Sequence, residues 1–409
     1  MKGWRACSAK YRDAVRRLCY TYPVSRISPF PGLIFDLPRV GTPEQLTSPP
    51  YDVISDEQQQ RYRALSPHNV VHLEFNDKET NHESRSELYE RSASLLNQWR
   101  EGSILLEDEP SYYPYRMDFQ LGGRAHSIRG LVCAVEIEPW GGSIIPHERT
   151  LPHTVDDRLG LLRAVQANLS PVYSVFAGPV PQLGELFDSL DQPFISLEDH
   201  ESVTHRLWRS RDDRIAEWLE DQDLLIADGH HRYTTALTFR DEMRELHGPG
   251  PWDHIMMLIV DSATEEPPVL PIHRIVSGVS LPEPSTTVAD LGTLLASLSD
   301  DTPTVGVTRG SGESASLGAL RLEGGPPAVV ALHESLLDDS GASLTFVADP
   351  NEALSAVRSE RADAAVFLPA TTTARIREVI DRGERMPQKS TFFWPKPRTG
   401  MVMRSLKPG

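Results

Sequence analysis

The segment Leu224–Leu237 (LLIADGHHRYTTAL) gathers more reactive side chains than any other stretch of this sequence. The apolar run Leu224–Ala227 predicts a strand that stops at Asp228. Gly229 permits a tight turn, and Arg232 opens a helix to about His247, before Gly248 and Pro249. The first backbone N–H groups of a helix lack partners within it. With Gly229, His230, His231 and Arg232 around them they suit an anion, most naturally a phosphate. Asp228 complements such a site, as a ligand for a divalent cation bridging phosphates or as proton acceptor from a hydroxyl nucleophile. The plainer reading is that Asp228 caps the helix while the histidines fill space.

Other segments carry chemistry suited to the same site. Pro146–His153 (PHERTLPH) packs two histidines, a carboxylate and an arginine between two prolines. Glu148 is the first candidate for a general base, His147 for a substrate contact, and Arg149 for a clamp on phosphate or carboxylate; a salt-bridged surface turn is the alternative. Asp156, Asp157 and Arg158 read as the capping residues of the next helix. Asn168 and Ser170 offer amide and hydroxyl groups to a ligand, or mark the helix stop that Pro171 requires. Pro49-Pro50 should hold Tyr51 and Asp52 at a fixed angle, as a site wall or as a structural turn, with one X-Pro bond a candidate for cis. His273 and Arg274 would add positive charge to the same cleft, or form a satisfied structural pair. Met386–Lys396 joins Lys389, Ser390 and Thr391 to an aromatic run, as a lid over a nucleotide with Lys389 on phosphate, or as a core strand. A metal-dependent hydrolase is the competing reading, with His147, Glu148, His153, His230 and His231 as ligands, although no HExxH spacing is present.

The elements that must position these residues follow from periodicity. Leu88, Ser92, Leu95, Leu96 and Trp99 predict a helix ending at Gly102, and Tyr112 to Glu138 a hairpin turning at Gly122-Gly123. Further helices are expected over 156–168, around Ile215–Leu219, over 287–298 and over 374–381. Strands are expected between 304 and 325 and over 328–332. The 409 residues then divide into a basic, disordered extension at 1–27, a core at 28–278, and a C-terminal α/β region at 279–409 with a site-closing tail.

Composition narrows the function. The 58 acidic against 41 basic residues give a net charge of −17, which disfavours broad nucleic-acid binding. The helix expected after Arg232 is charge-balanced, unlike a DNA-recognition helix. The longest apolar run, Ile255–Val260, is too short to span a bilayer. Three cysteines, Cys7, Cys19 and Cys133, support neither a disulfide framework nor a zinc ribbon, so a reducing cytoplasm is expected. The first 28 residues hold seven basic side chains and one acidic, without a signal-peptide core. Gly310-Ser311-Gly312 lacks the Gly-Lys-Ser/Thr of a Walker loop.

Asp228-Gly-His-His-Arg232 followed by Ala236 resembles the phosphate-binding turn of the ParB/sulfiredoxin-like superfamily, which includes the free-serine kinases. A longer series resembles the bacterial and archaeal domain-of-unknown-function family 1015: Pro49–Ile54 (PPYDVI), Ser66–Asn69 (SPHN), Pro146–Thr150 (PHERT), Ala167–Pro171 (ANLSP), the Asp228 motif, Pro271–Arg274 (PIHR) and Met386–Thr391 (MPQKST). Glu265–Pro268 (EEPP) departs from the glycine-containing turn expected there. The resemblance implies an α/β or α+β fold with a ParB/sulfiredoxin-like nucleotide-binding core. It implies ATP or ADP with Mg²⁺ as cofactor, and phosphoryl transfer to a small hydroxyl-bearing metabolite such as free serine. The alternative it leaves is a non-catalytic nucleotide-binding regulator, with oligomerisation as its readout.

Overall fold

The computed structural model describes residues 26–74, 84–149, 152–310 and 312–408. Most of the expected extension, residues 1–25, lies outside that description. The mixed α/β class expected from the alternating pattern is what the chain adopts.

The strand His254–Asp261 is apolar without alternation and is buried along nearly its whole length, the pattern of a strand covered on both faces. Its side chains divide by parity: Met256, Leu258 and Val260 join one core, while Ile255, Met257 and Ile259 join another. It lies within a nine-stranded mixed sheet. From one edge the order is Ile144–Ile145, Leu224–Asp228, Val172–Phe176, His254–Asp261, Arg124–Glu136, Tyr113–Leu121, Thr204–Leu207 and Ile195–Glu198. Ile27–Ser28 pairs separately with Arg124–Glu136, so Ile27, assigned to the extension by sequence, is already a buried strand residue. The expected hairpin is present, with Gly122 and Gly123 at φ 59° and 77° supplying the left-handed turn.

One face of the sheet carries Tyr233 and Ala236 of the helix His230–His247, which packs on the helix Pro152–Val165. The other face shares its core with a second, six-stranded antiparallel sheet ordered Thr286–Val288, Ser316–Arg321, Thr304–Arg309, Ala364–Phe367, His273–Ser277, Ser343–Val347. The second unit therefore begins before Gly278, because His273–Ser277 is one of its inner strands. The chain then returns: Phe392–Phe393 pairs with Val269–Leu270, and Met403–Ser405 lies between Gly32–Phe35 and Ala167–Asn168.

Several local expectations are corrected. The helix over 156–168 starts earlier, at Pro152, and ends at Val165 because Gln166 turns left-handed at φ 48°, leaving Asn168 on a strand. Asp156–Arg158 consequently lie inside the helix rather than at its cap. The segment 287–298 divides into a strand, Thr286–Val288, and a helix, Leu291–Ser297, whose start is fixed by the Asp290 side chain accepting the Thr293 N–H at 2.8 Å. Ala328–Leu332 is helical and runs into a π-turn at His333–Leu337. Gly102 ends its helix at φ −78°, and the left-handed residue is Ser103. Glycine is needed there for space, since a Cβ would lie 2.9 Å from the Gln98 carbonyl. The bonds before Pro49 and Pro50 are not cis; those before Pro327 and Pro395 are.

Gly130 shows how tightly the central strands approach. A Cβ at this buried position would lie 2.8 Å from the Ile259 carbonyl and 2.7 Å from Val260 Cγ2. Gly130→Ala is therefore expected to destabilise the fold by about 2 kcal/mol, read as a lower urea midpoint at unchanged m-value.

Candidate functional site

The expected strand, turn and helix form as Leu224–Asp228, Gly229 and His230–His247, so the helix opens two residues earlier than Arg232. Gly229 sits at φ 94°, ψ 28°, and no side chain caps the helix. Arg232 folds back over the glycine, so a Cβ there would lie 3.0 Å from its Nε. The left-handed backbone demands glycine, and a side chain there would also press on Arg232.

Arg232 does not reach outward for an anion. It ion-pairs Asp228, and its Nη1 donates to Ser170 Oγ at 3.1 Å and to the Pro171 carbonyl. The other Asp228 oxygen pairs with Lys396. Burial works against the charged carboxylate, but Lys396 and Arg232 outweigh it and hold Asp228 down at about 2. A carboxylate so held is a poor proton acceptor, and its two cations occupy the oxygens expected to bind a metal. Asp228 instead joins the turn to the C-terminal tail.

Glu148 has the opposite character. Its carboxyl, 9% exposed, is pushed up to about 7, chiefly by burial, against the pull of the Lys389 backbone N–H, the Lys389 and Arg274 charges and the Ser390 backbone. The segments run side by side: Met386 N–H donates to the His147 carbonyl at 2.8 Å, and Arg149 N–H returns to the Met386 carbonyl at 3.4 Å. Lys389 adopts φ 53°, unusual for a side-chain-bearing residue, and its N–H is held by Glu148 Oε1. Its ammonium lies 3.5 Å from Asp52 Oδ2 and is raised above its ordinary pKa mainly by that charge. Lys389 thus links Glu148, Asp52 and the surroundings of Asp228, which also acts on it electrostatically.

The histidines divide between packing and site. His147 is fully buried and lowered to about 4, first by desolvation. Its Nδ1 donates to the Ile226 carbonyl at 2.8 Å, so its Nε2 is left to accept from Thr391 Oγ1 at 2.7 Å. The His147 backbone N–H donates to His230 Nε2 at 3.3 Å, and the two rings meet edge to face. These imidazole nitrogens are spent inside the protein, contrary to both the substrate-contact expectation for His147 and the metal reading. Among the described residues no group of three or more His, Cys, Asp or Glu side chains is placed to hold a metal; the His153 side chain lies outside the description. His231 is half-buried at the site's edge, lowered by burial and then by Lys389.

Tyr51 and Asp52 come to the cluster on a single 3₁₀ turn, with Arg158 over the Tyr51 ring at 4.4 Å. Asn168 is engaged elsewhere, its Oδ1 accepting the Met256 N–H at 3.0 Å. Arg149 is exposed. His273 is buried in the second sheet, accepting the Leu368 N–H at 3.1 Å, and lowered to about 4 by burial. Arg274, fully buried beside it, donates to the Ile272 carbonyl at 2.6 Å and is lowered to about 10 by burial, with Glu148 opposing. The aromatic run is core: Phe393 is inaccessible and Trp394 packs edge to face on Phe119. Sequence reasoning passed over Lys396 and Glu74, and read Arg158 as part of a helix cap. The available signal for Lys396 was a lysine between two prolines at the end of that run.

The sequence profile of the family described as "Protein of unknown function (DUF1015)" matches residues 27–332, three quarters of the chain. The chain belongs to this family. No curated protein matches it. Among solved structures, a conserved hypothetical protein from Pyrococcus furiosus is 14% identical, with 65% of this chain and 93% of that one covered and a TM-score of 0.35. A free serine kinase in complex with AMP is 13% identical, covering 68% and 91%, with a TM-score of 0.38. A free serine kinase mutant in complex with ADP is 13% identical, covering 68% and 92%, with a TM-score of 0.38. Similarity of this depth assigns no activity to the DUF1015 chain.

The buried Asp228 pair predicts a specific loss. Lys396→Met leaves Asp228 with one cation and is expected to cost about 3 kcal/mol at pH 7. A lowered carboxylate pKa contributes stability above its unfolded value of 3.8 and loses it as pH falls through about 2. The wild-type advantage should be full at neutral pH and shrink below pH 4, as urea unfolding at pH 7 and pH 3.5 would show.

Proposed function

We propose that this DUF1015 protein binds a nucleotide with Mg²⁺ and transfers its terminal phosphoryl group to a small hydroxyl-bearing metabolite, with free serine as the first acceptor to try. The observation that carries this reading is the joint placement of an uncapped helix N-terminus, the partly accessible Lys389 ammonium and a buried carboxyl, Glu148, held near neutrality. The helix end and a compact cation suit phosphate oxygens. A carboxyl poised near the working pH suits proton removal from a hydroxyl.

In this account the phosphates lie against the helix start, His231 and Lys389. Arg232 acts from behind, fixing Asp228 and the turn. Asp52 is the residue suited to hold Mg²⁺, because its Oδ1 is buried with no hydrogen-bond partner among the described residues while both Asp228 oxygens are paired. When bound, the ion neutralises phosphate charge. The acceptor oxygen forms a bond to the terminal phosphorus as the bond from phosphorus to the bridging oxygen breaks. The electron pair leaves with the nucleotide, and the hydroxyl proton passes to Glu148.

A base with a raised pKa works only when ionised, so the rate should climb through about pH 7 and level off above it. Glu148→Gln should lower kcat about 10²- to 10⁴-fold, measured as acceptor-dependent release of ADP from ATP. An unchanged rate in that variant would remove Glu148 as base, and nucleotide binding without transfer to any hydroxyl acceptor would reject the phosphotransferase reading.

A further inference from the structure

Beside the Asp228 turn lies a cavity of about 70 Å³ that the proposed phosphate contacts do not use. Its walls are mainly aliphatic, from Leu161, Leu162 and Val165 of the helix Pro152–Val165 and from Ile255. Its polar end is made by Glu74, Arg158, Ser170 and Arg232.

The hydrogen bonding at that end is nearly complete, with one gap among the described residues. Arg158 gives Nε and Nη2 to Asp157 Oδ2 at 3.0 and 2.6 Å, and Nη1 to the Glu74 backbone carbonyl at 3.4 Å. Arg232 is paired with Asp228, Ser170 and Pro171. Ser170 gives its hydroxyl proton to Glu74 Oε1 at 3.3 Å. Glu74, 4% exposed, keeps Oε2 inaccessible and without a partner among the described residues. Arg158 and Arg232 also act on Glu74, but burial outweighs them and pushes its carboxyl up to about 7, so its ionised form is under-compensated. What is missing is a donor, best supplied with positive charge, and the aliphatic walls favour a hydrocarbon stem behind it.

We propose that this cavity binds the ammonium end of a short alkylamine, with Glu74 Oε2 as its acceptor and Leu161, Leu162 and Val165 around its stem. Only the naming of this ligand as the phosphoryl acceptor rests on the function proposed above; the binding does not. An acceptor seated here would present its hydroxyl toward the Asp228 turn, making it an amino alcohol or a hydroxylated amine.

Calorimetric titration of the full chain at pH 8 with n-propylamine, 1-propanol and propionate tests the assignment. Propylamine should bind, and the alcohol and the acid should not. Glu74→Gln should weaken propylamine at least tenfold. Leu162→Trp, a half-exposed wall position, should block it without altering Glu74 and decides the matter if the first variant does not fold. Equal binding of propanol or propionate, wild-type affinity in either folded variant, or no propylamine binding would overturn the proposal. ATP with Mg²⁺, titrated in parallel, separates the failures: nucleotide without amine binding sinks only this inference, and amine without nucleotide binding sinks only the phosphotransferase.

Discussion

Asp228, buried between Arg232 and Lys396, is the interaction on which the arrangement of the site depends. One oxygen holds an arginine four residues on, in the first turn of the helix that follows; the other holds a lysine 168 residues later in the chain. Arg232 in turn reaches Ser170, whose hydroxyl reaches Glu74. A single carboxylate thus gathers the strand end, the helix start, the Asn168–Pro171 loop and the C-terminal tail. Charges taken this far from water are tolerable only when fully paired, so the network holds its members in one geometry.

That constraint separates two kinds of acid within a small volume. Asp228 is flanked by cations and stays ionised, while Glu148, buried with fewer compensating charges, is held near neutrality. Environments that push two carboxyls apart in this way divide their tasks, one maintaining architecture and the other able to exchange a proton. Lys389 stands between them, with its backbone fixed by Glu148 and its ammonium beside Asp52.

Much of this was legible in the sequence where the signal is local. The strand, glycine turn and helix at 224–247 follow from an apolar run, a glycine and a 3.6-residue period, and the hairpin at Gly122-Gly123 follows from its turn residues. Asp52, Glu148, Asp228 and Lys389 were all picked out by type and do come together. Their roles were not legible. Which oxygen Arg232 reaches depends on a tail lysine far away in sequence, and no periodicity reports a pairing at that separation. The histidines misled for a related reason. His147 and Thr391 are joined at 2.7 Å by the return of the chain past the loop, which converts an apparent ligand into packing. Glu74 gave no signal, because one carboxylate on a short helix stands out only when its surroundings are known.

The central claim is that the Asp228 turn and Lys389 form a nucleotide-phosphate site, and thermal unfolding with and without ATP–Mg²⁺ tests it most directly. A ligand held only by the folded state at a hundredfold excess over its Kd adds about 2.7 kcal/mol of apparent stability. The account predicts a clear rise in Tm for the wild type that is largely absent in Lys389→Met. No rise with any nucleotide, or an equal rise in the variant, would contradict it.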